Sequence, residues 1–282
     1  MPSRIFAPGL LDGQVVLVTG GGTGLGRATA VELAALGAEV VVAGRRAEPL
    51  EETVSLCEGG RCSSAVCDIR EEEQVHALVD DVLARHGRID TLVNNAGGQY
   101  MTPAEDISLK GFETVVRLNL IGTWLMTHAV ATKAFIPEGR GGKVISVTLS
   151  PHHGLPGMAH SSAARAAVEN LTRVLSIEWA RHDIRLTALA AGHFETEAIQ
   201  KYPKPVAEGV ARTVPLQRLG RPEEHAWLVA YLASPAGDYY SGAVITLDGA
   251  RDNWFGPWPP PQLADAETGK PLAEERRPKP GS

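Results

Sequence analysis

The run Val15-Val16-Leu17-Val18-Thr19, followed at once by Gly20-Gly21-Gly22-Thr23-Gly24-Leu25-Gly26, constrains the fold more than any other stretch. Its β-branched start reads as a buried strand, and 27–36 then has helical spacing. Glycines between a strand and a helix let the backbone turn sharply and approach a ligand closely. The helix that follows offers unpaired N–H groups and the positive end of its dipole, so the turn reads as a cradle for phosphate. The same order of strand, turn and helix recurs down the chain. Val40-Val41-Val42 precedes a helix over 47–56, Ser64-Ala65-Val66 one over 71–85, and Thr91-Leu92-Val93 a longer one over 112–134. Val144-Ile145-Ser146-Val147 precedes a helix over 159–179, and strands at 184–188 and 244–247 close the series. Such alternation predicts an α/β fold with a doubly wound parallel sheet and helices on both faces, because each right-handed crossover must lay a helix back on the sheet.

A single glycine-rich turn in 282 residues favours one nucleotide-binding and catalytic domain over 1–250. Within it, 193–222 breaks the rhythm with Tyr202-Pro203-Lys204-Pro205 and reads as a flap over the carboxyl edge of the sheet. The tail over 251–282 holds Trp254-Phe255-Gly256-Pro257-Trp258, expected to pack on something, then prolines and charges expected to be partly disordered. A net charge of −6 without a Lys/Arg cluster gives no footprint for nucleic acid. No apolar run reaches the length of a membrane span, and the first residues lack the pattern of a secretory signal. Cys57, Cys62 and Cys67 suit neither a disulfide framework nor a metal site, since no histidine lies among them. Reduced thiols and a cytoplasmic location are expected, with no metal.

The six-residue dinucleotide pattern Gly-x-Gly-x-x-Gly fits the turn in no register. Thr19-Gly20 with Gly24 and Gly26 forms Thr-Gly-x-x-x-Gly-x-Gly instead, and Asn94-Asn95-Ala96-Gly97 follows at mid-length. Together these motifs resemble those of the short-chain dehydrogenase/reductases over about residues 12 to 250. The resemblance implies a Rossmann-like seven-stranded sheet in the order 3-2-1-4-5-6-7. It also implies a homodimer or homotetramer paired through the helices near 112–134 and 159–181. Gly20, Thr23, Gly24, Leu25 and Gly26 would hold the cofactor's pyrophosphate, Asp68 and Ile69 its adenine, and Asn95, Ala96 and Gly97 its ribose. Gly192 and Thr196 match the family's Pro-Gly-x-x-x-Thr nicotinamide motif, with Ala191 in place of the proline. After the second strand stands Ala43-Gly44-Arg45-Arg46, with no carboxylate for a ribose 2′-hydroxyl and two guanidiniums suited to a 2′-phosphate. NADPH is the expected cofactor.

The acid-base half departs from the family. Asn119 matches its active-site asparagine and Thr148 its serine, but Ser161 stands where it keeps a tyrosine and Arg165 where it keeps a lysine. An aliphatic hydroxyl is a far weaker acid than a phenol near pKa about 10. Arginine keeps its charge, so it can hold ribose hydroxyls and set the field but not shuttle protons. Reduction of an α,β-unsaturated thioester needs less: hydrogen-bond donors that stabilise an enolate oxygen. Three stretches, 7–14, 94–100 and His160-Ser161-Ser162-Ala163-Ala164-Arg165, resemble the peroxisomal trans-2-enoyl-CoA reductases. The related 2,4-dienoyl-CoA reductases carry an acid tyrosine near 150, where this chain has Ser150-Pro151-His152-His153. The sequence thus points to a small-molecule substrate, an acyl-CoA thioester, with Gln99, Tyr100, His152, His160 and His193 as candidates to face it. Trp254 and Trp258 could line an acyl channel or seal a subunit interface. A carbonyl reductase with a relocated acid and an inactive NADP-binding sensor stay open as alternatives.

Overall fold

Alternating residues of the first strand bury their side chains on opposite sides of one sheet, and two hydrophobic cores grow from that alternation. The computed structural model describes residues 3–197, 199 and 209–254. Its strands are β1 Val15–Thr19, β2 Glu39–Gly44, β3 Cys62–Val66, β4 Thr91–Asn94, β5 Gly142–Leu149, β6 Ile184–Ala191 and β7 Ala243–Leu247. All pair in parallel, in the order β3-β2-β1-β4-β5-β6-β7. The order reverses between β1 and β4, so the loops leaving those strands diverge and open a crevice at the carboxyl edge.

The helices are α1 Gly24–Ala35, α2 Ala47–Leu56, α3 Glu72–His86, α4 Leu109–Val116, α5 Gly122–Val130, α6 Ile136–Glu138, α7 Ala159–Glu178 and α8 Pro222–Ala233. Val16 and Val18 join Leu33 of α1 and Val229 of α8 in one core. Val15 and Leu17 join Val79 of α3, Met126 of α5 and Phe135 in the other. This is the Rossmann-like architecture expected from the alternation of strands and helices.

Three local features differ from the sequence reading. The helix expected over 112–134 runs from 109 to 138 and is broken by two π turns, Arg117–Ile121 and Ala131–Phe135. Asn119 lies in the first, where the extra residue per turn shifts the direction of its side chain. Helix α8 was not anticipated, although its start carries clear signals: Pro222 sits in the first turn and Glu224 accepts the Arg221 N–H at 2.8 Å. Its small buried residues Ala226, Ala230 and Ala233 give little periodic signal. In the proposed flap, the ends are pinned by a parallel bridge between Phe194 and Gly220, with Phe194, Val210 and Val214 buried. Tyr202-Pro203-Lys204-Pro205 and 255–282, including Trp258, lie outside the described residues.

His225 on α8 couples this packing to pH. Its ring is fully buried, with Nδ1 3.3 Å from the Thr29 hydroxyl on α1. Burial lowers its pKa from 6.5 to about 4. Between those values the unfolded chain holds a proton that the folded chain refuses, so stability falls as pH drops through this window. His225→Gln is expected to flatten the loss of urea midpoint between pH 6.5 and 4. An unchanged profile would place the acid sensitivity elsewhere.

Candidate active site

The carboxyl ends of the first four strands border a cavity of about 320 Å³, with the start of α1 at its floor. Thr23 precedes α1 without a side-chain cap, and the first turn holds no acidic residue. Its N–H groups and dipole are therefore available to an anion. Gly20 and Gly24 adopt φ of +65° and +52°, which glycine alone tolerates easily. Gly26 serves packing: a Cβ there would lie 2.3 Å from the Gly20 carbonyl oxygen. Thr19 ties the crevice together. Its hydroxyl accepts the N–H groups of Asn95 and Ala96, both at 3.1 Å, while Asn95 Nδ2 donates to the Thr19 carbonyl at 3.0 Å.

Gly20, Thr23, Gly24, Leu25, Arg45, Arg46, Asp68, Ile69, Asn95, Ala96, Gly97 and Thr196 all line this cavity. Arg45 and Arg46 are exposed on its rim. Arg70 donates to both Asp68 oxygens and holds that carboxyl below the usual carboxylate range against the opposing effect of burial, with help from Arg45. Gly192 lies apart from the lining, packed against Asp248. Leu118, from the first π turn, joins the lining without having been anticipated.

At the deep end, Asn119 clamps the loop after β4: its Oδ1 accepts the Gly98 N–H at 2.9 Å and its Nδ2 donates to the Gly98 carbonyl at 3.0 Å. The same Nδ2 lies 3.3 Å from Ser161 Oγ, so these two candidates meet directly. Ser161 and Arg165 sit one turn apart on α7 and both are buried. Arg165 donates to the Val147 carbonyl at 2.6 Å and passes so close to Gly97 that a Cβ there would meet its guanidinium at 1.9 Å. Burial lowers its pKa to about 10, which leaves it charged at neutral pH. Thr148, buried at the end of β5, donates its hydroxyl to Glu169 Oε1 at 2.8 Å.

The outer candidates scatter. Tyr100 packs edge-on against the His160 ring, centroids 4.5 Å apart, with its hydroxyl beside Gly111 on α4. His160 is buried and its Nδ1 accepts the Ser161 N–H at 2.8 Å. Gln99 lies between Tyr100 and the clamped Gly98 in the chain and is exposed. His193 borders a separate cavity of about 130 Å³ with Asp248. Burial, reinforced by Arg251, pushes its pKa down to about 4. His152 reaches Glu169 and Asp252, two partners the sequence reading did not single out. Glu169 was legible in principle: it stands one turn beyond Arg165 on the same face of α7. Asp252 had no local signal, since its partner is a hundred residues away in the chain.

A family model described as enoyl-(acyl carrier protein) reductase matches residues 20–250. The chain belongs to the short-chain dehydrogenase/reductase family. Within it, the chain is 35% identical to a probable 2,4-dienoyl-CoA reductase of Bacillus subtilis, over 88% of this chain and 100% of that protein. It is 34% identical to the peroxisomal 2,4-dienoyl-CoA reductase of Danio rerio, over 88% and 84% of the two chains. Among solved structures, the citronellol catabolism dehydrogenase AtuB of Pseudomonas aeruginosa superposes with a TM-score of 0.79 at 44% identity, covering 88% of this chain and 98% of that one. The family uses a nicotinamide dinucleotide, and the uncapped start of α1 and the glycine-lined walls suit one. The chain is accordingly an oxidoreductase.

The contact between Gly97 and Arg165 is testable. A methyl group on Gly97 must push aside a buried guanidinium held by the Val147 carbonyl, so Gly97→Ala is expected to cost about 1–3 kcal/mol of stability, as overpacking does. Displacing the guanidinium by an ångström is expected to lower turnover about 10²-fold. Wild-type turnover in a stably folded variant would show that Arg165 does not need this position.

Proposed function

We propose that the protein reduces a carbon–carbon double bond conjugated to an acyl thioester, a trans-2-enoyl-CoA, with NADPH. The observation that carries this reading is the pair on α7. Ser161 is buried and held by Asn119, and Arg165 is buried beside it, where the family resemblance implies a phenol and an amine. Neither residue readily releases a proton at neutral pH. Both can stabilise negative charge on an oxygen, by a hydrogen bond and by field, and the buried setting strengthens each effect. When bound, the nicotinamide cofactor supplies hydride. Ser161 then offers its hydroxyl to the thioester oxygen as charge collects there, Thr148 adds a second once its proton turns from Glu169, and Arg165 biases the potential towards the enolate. Asn119 keeps Ser161 and the loop at Gly98 in register. The relatives named as dienoyl-CoA reductases, which act on conjugated acyl-CoA esters, support the substrate class.

The start of α1 would hold the pyrophosphate, Asp68 and Ile69 the adenine, Asn95 to Gly97 the ribose, and Arg165 the nicotinamide ribose. Arg45 and Arg46 on the rim support the choice of NADPH, since a guanidinium binds a 2′-phosphate bidentately. Pairing into a homodimer or homotetramer through the long helices is supported by apolar side chains left exposed there: Ile121 on the first π turn and Val174 and Ile177 on α7. A cytoplasmic location is supported by three cysteines that are all buried and free.

The experiment is a rate comparison with NADPH on crotonyl-CoA, a longer enoyl-CoA and a panel of ketones. The enoyl thioesters are expected to turn over fastest, and Ser161→Ala to lower that rate by about 10-fold to 10³-fold, the order of loss when an oxyanion donor is removed. Cofactor affinity is expected to hold. Ketone turnover with no enoyl-CoA activity would overturn the reading in favour of a carbonyl reductase, and binding without any turnover in favour of a sensor. NADPH is expected to bind at least about tenfold more tightly than NADH, about 1.4 kcal/mol. Equal titration curves would remove the role given to Arg45 and Arg46.

A further inference from the structure

Beyond Thr148 a file of polar groups leads from the buried site to solvent. Glu169 Oε1 accepts the Thr148 hydroxyl at 2.8 Å and lies 3.1 Å from His152 Nε2. On the other side of the ring, His152 Nδ1 lies 2.5 Å from Asp252 Oδ2, and the His152 N–H donates to Asp252 Oδ1 at 2.6 Å. Exposure grows along the file: the Glu169 side chain is 7% accessible and that of His152 is 29%. The proposed roles of Ser161 and Arg165 leave all of these groups unused, yet the reduction still needs a proton.

We infer that Thr148, Glu169 and His152 form a proton relay from solvent to the substrate, with Asp252 fixing the imidazole. The inference rests on the proposed placement of Thr148 at the substrate. It does not require that the substrate be an enoyl thioester. The sheet supports that placement: Val147 turns its side chain into the core under α1 and α8, so Thr148 points to the opposite side, towards α7, where it meets Glu169 one turn beyond Arg165.

Both ring nitrogens of His152 face carboxylates, and only the imidazolium can donate to both. Asp252 and Glu169 raise the His152 pKa above 6.5 against the effect of burial, and His152 in turn helps hold the Asp252 carboxyl low despite its own burial. The other ionisable groups nearby are His153, whose Nδ1 is 3.3 Å from Asp252 Oδ1, and Arg173, which borders the same 410 Å³ cavity as His152 and Glu169. Asp248 accepts the Asp252 N–H at 2.7 Å, and Arg251 is turned away towards Thr213 and His193.

One proton moves and no electrons. The N–H bond at His152 Nε2 breaks as an O–H bond forms on Glu169, which changes Glu169 from acceptor to donor. Thr148 then takes that proton while releasing its own to the substrate: on an enolate, a C–H bond forms at the α-carbon as the enolate C=C bond gives back the thioester carbonyl. Thr148 and Glu169 end as they began, and the neutral imidazole regains its proton from water at its exposed edge. Thr148 touches the substrate; Glu169, His152 and Asp252 act through it.

The test pairs a titration with a pH profile. In the cofactor-free protein, NMR is expected to show His152 titrating above pH 6.5, and Glu169→Gln or Asp252→Asn to lower that value. In steady-state reduction, log kcat is expected to fall as pH rises through the His152 pKa. Glu169→Gln and His152→Gln are expected to lower kcat by about 10²-fold to 10⁴-fold, erase that limb and leave NADPH affinity unchanged. His152→Gln lies on a loop, so it decides the matter should Glu169→Gln fail to fold. If only ketones turn over, the enoyl reading fails and the same profile on a ketone judges the relay. Wild-type kcat with the limb intact in either folded variant would overturn it, as would an unshifted His152.

Discussion

A guanidinium buried without a carboxylate partner among the described residues governs the arrangement of this site. Arg165 has the Val147 carbonyl at 2.6 Å and the backbone of Gly97 against its other edge. An unpaired buried charge is costly, and the proposed function offsets that cost with the negative charge that collects on the substrate. Several features follow from its presence. Gly97 has no room for a side chain, and Asn119 must clamp Gly98 to keep the loop closed over the charge. The π turn at Arg117–Ile121 carries Asn119 to that loop and to Ser161 at once. Binding of the nucleotide and stabilisation of substrate charge thus share one cation in the proposed mechanism.

The crevice beside it depends on a second contact. Asn95 donates two hydrogen bonds to Thr19 across the point where the strand order reverses, and so fixes the spacing between the glycine turn and the loop after β4. A Cβ on Gly20 would strike Ala96 at 2.8 Å, and one on Gly26 would strike Gly20. The glycines therefore divide their work. Gly24 opens space for a ligand, while Gly20 and Gly26 let chain segments touch.

Much of this was legible in the sequence because it is local. Strands buried on both faces announce themselves as continuous apolar runs, as at 15–18 and 40–42, and the glycine turn lies within a dozen residues of its strand. Most residues lining the nucleotide cavity could be listed from motifs, since they follow closely on strand ends, whereas Leu118 on its π turn could not. Helix α8 escaped because alanines carry little hydrophobic contrast. The π turns escaped because Arg117 to Ile121 has ordinary helical composition. Among the candidate donors, Tyr100 and His160 pair with one another, a contact set by how the loop after β4 meets the start of α7. Glu169 could have been found from its spacing to Arg165 on α7. Asp252 could not, because only the closing of the sheet at β7 brings it to His152.

The central claim is that Ser161 and Arg165 favour an activated double bond over a carbonyl. The double substitution Ser161→Tyr with Arg165→Lys tests it most directly, through kcat/KM measured with NADPH on crotonyl-CoA and on a matched ketone. Restoring an acidic phenol beside an amine is expected to raise the ketone rate above that of the unmodified protein and to narrow its preference for the thioester. A cofactor-binding double variant that gains no ketone activity, set beside an unmodified protein that already reduces ketones well, would contradict the claim.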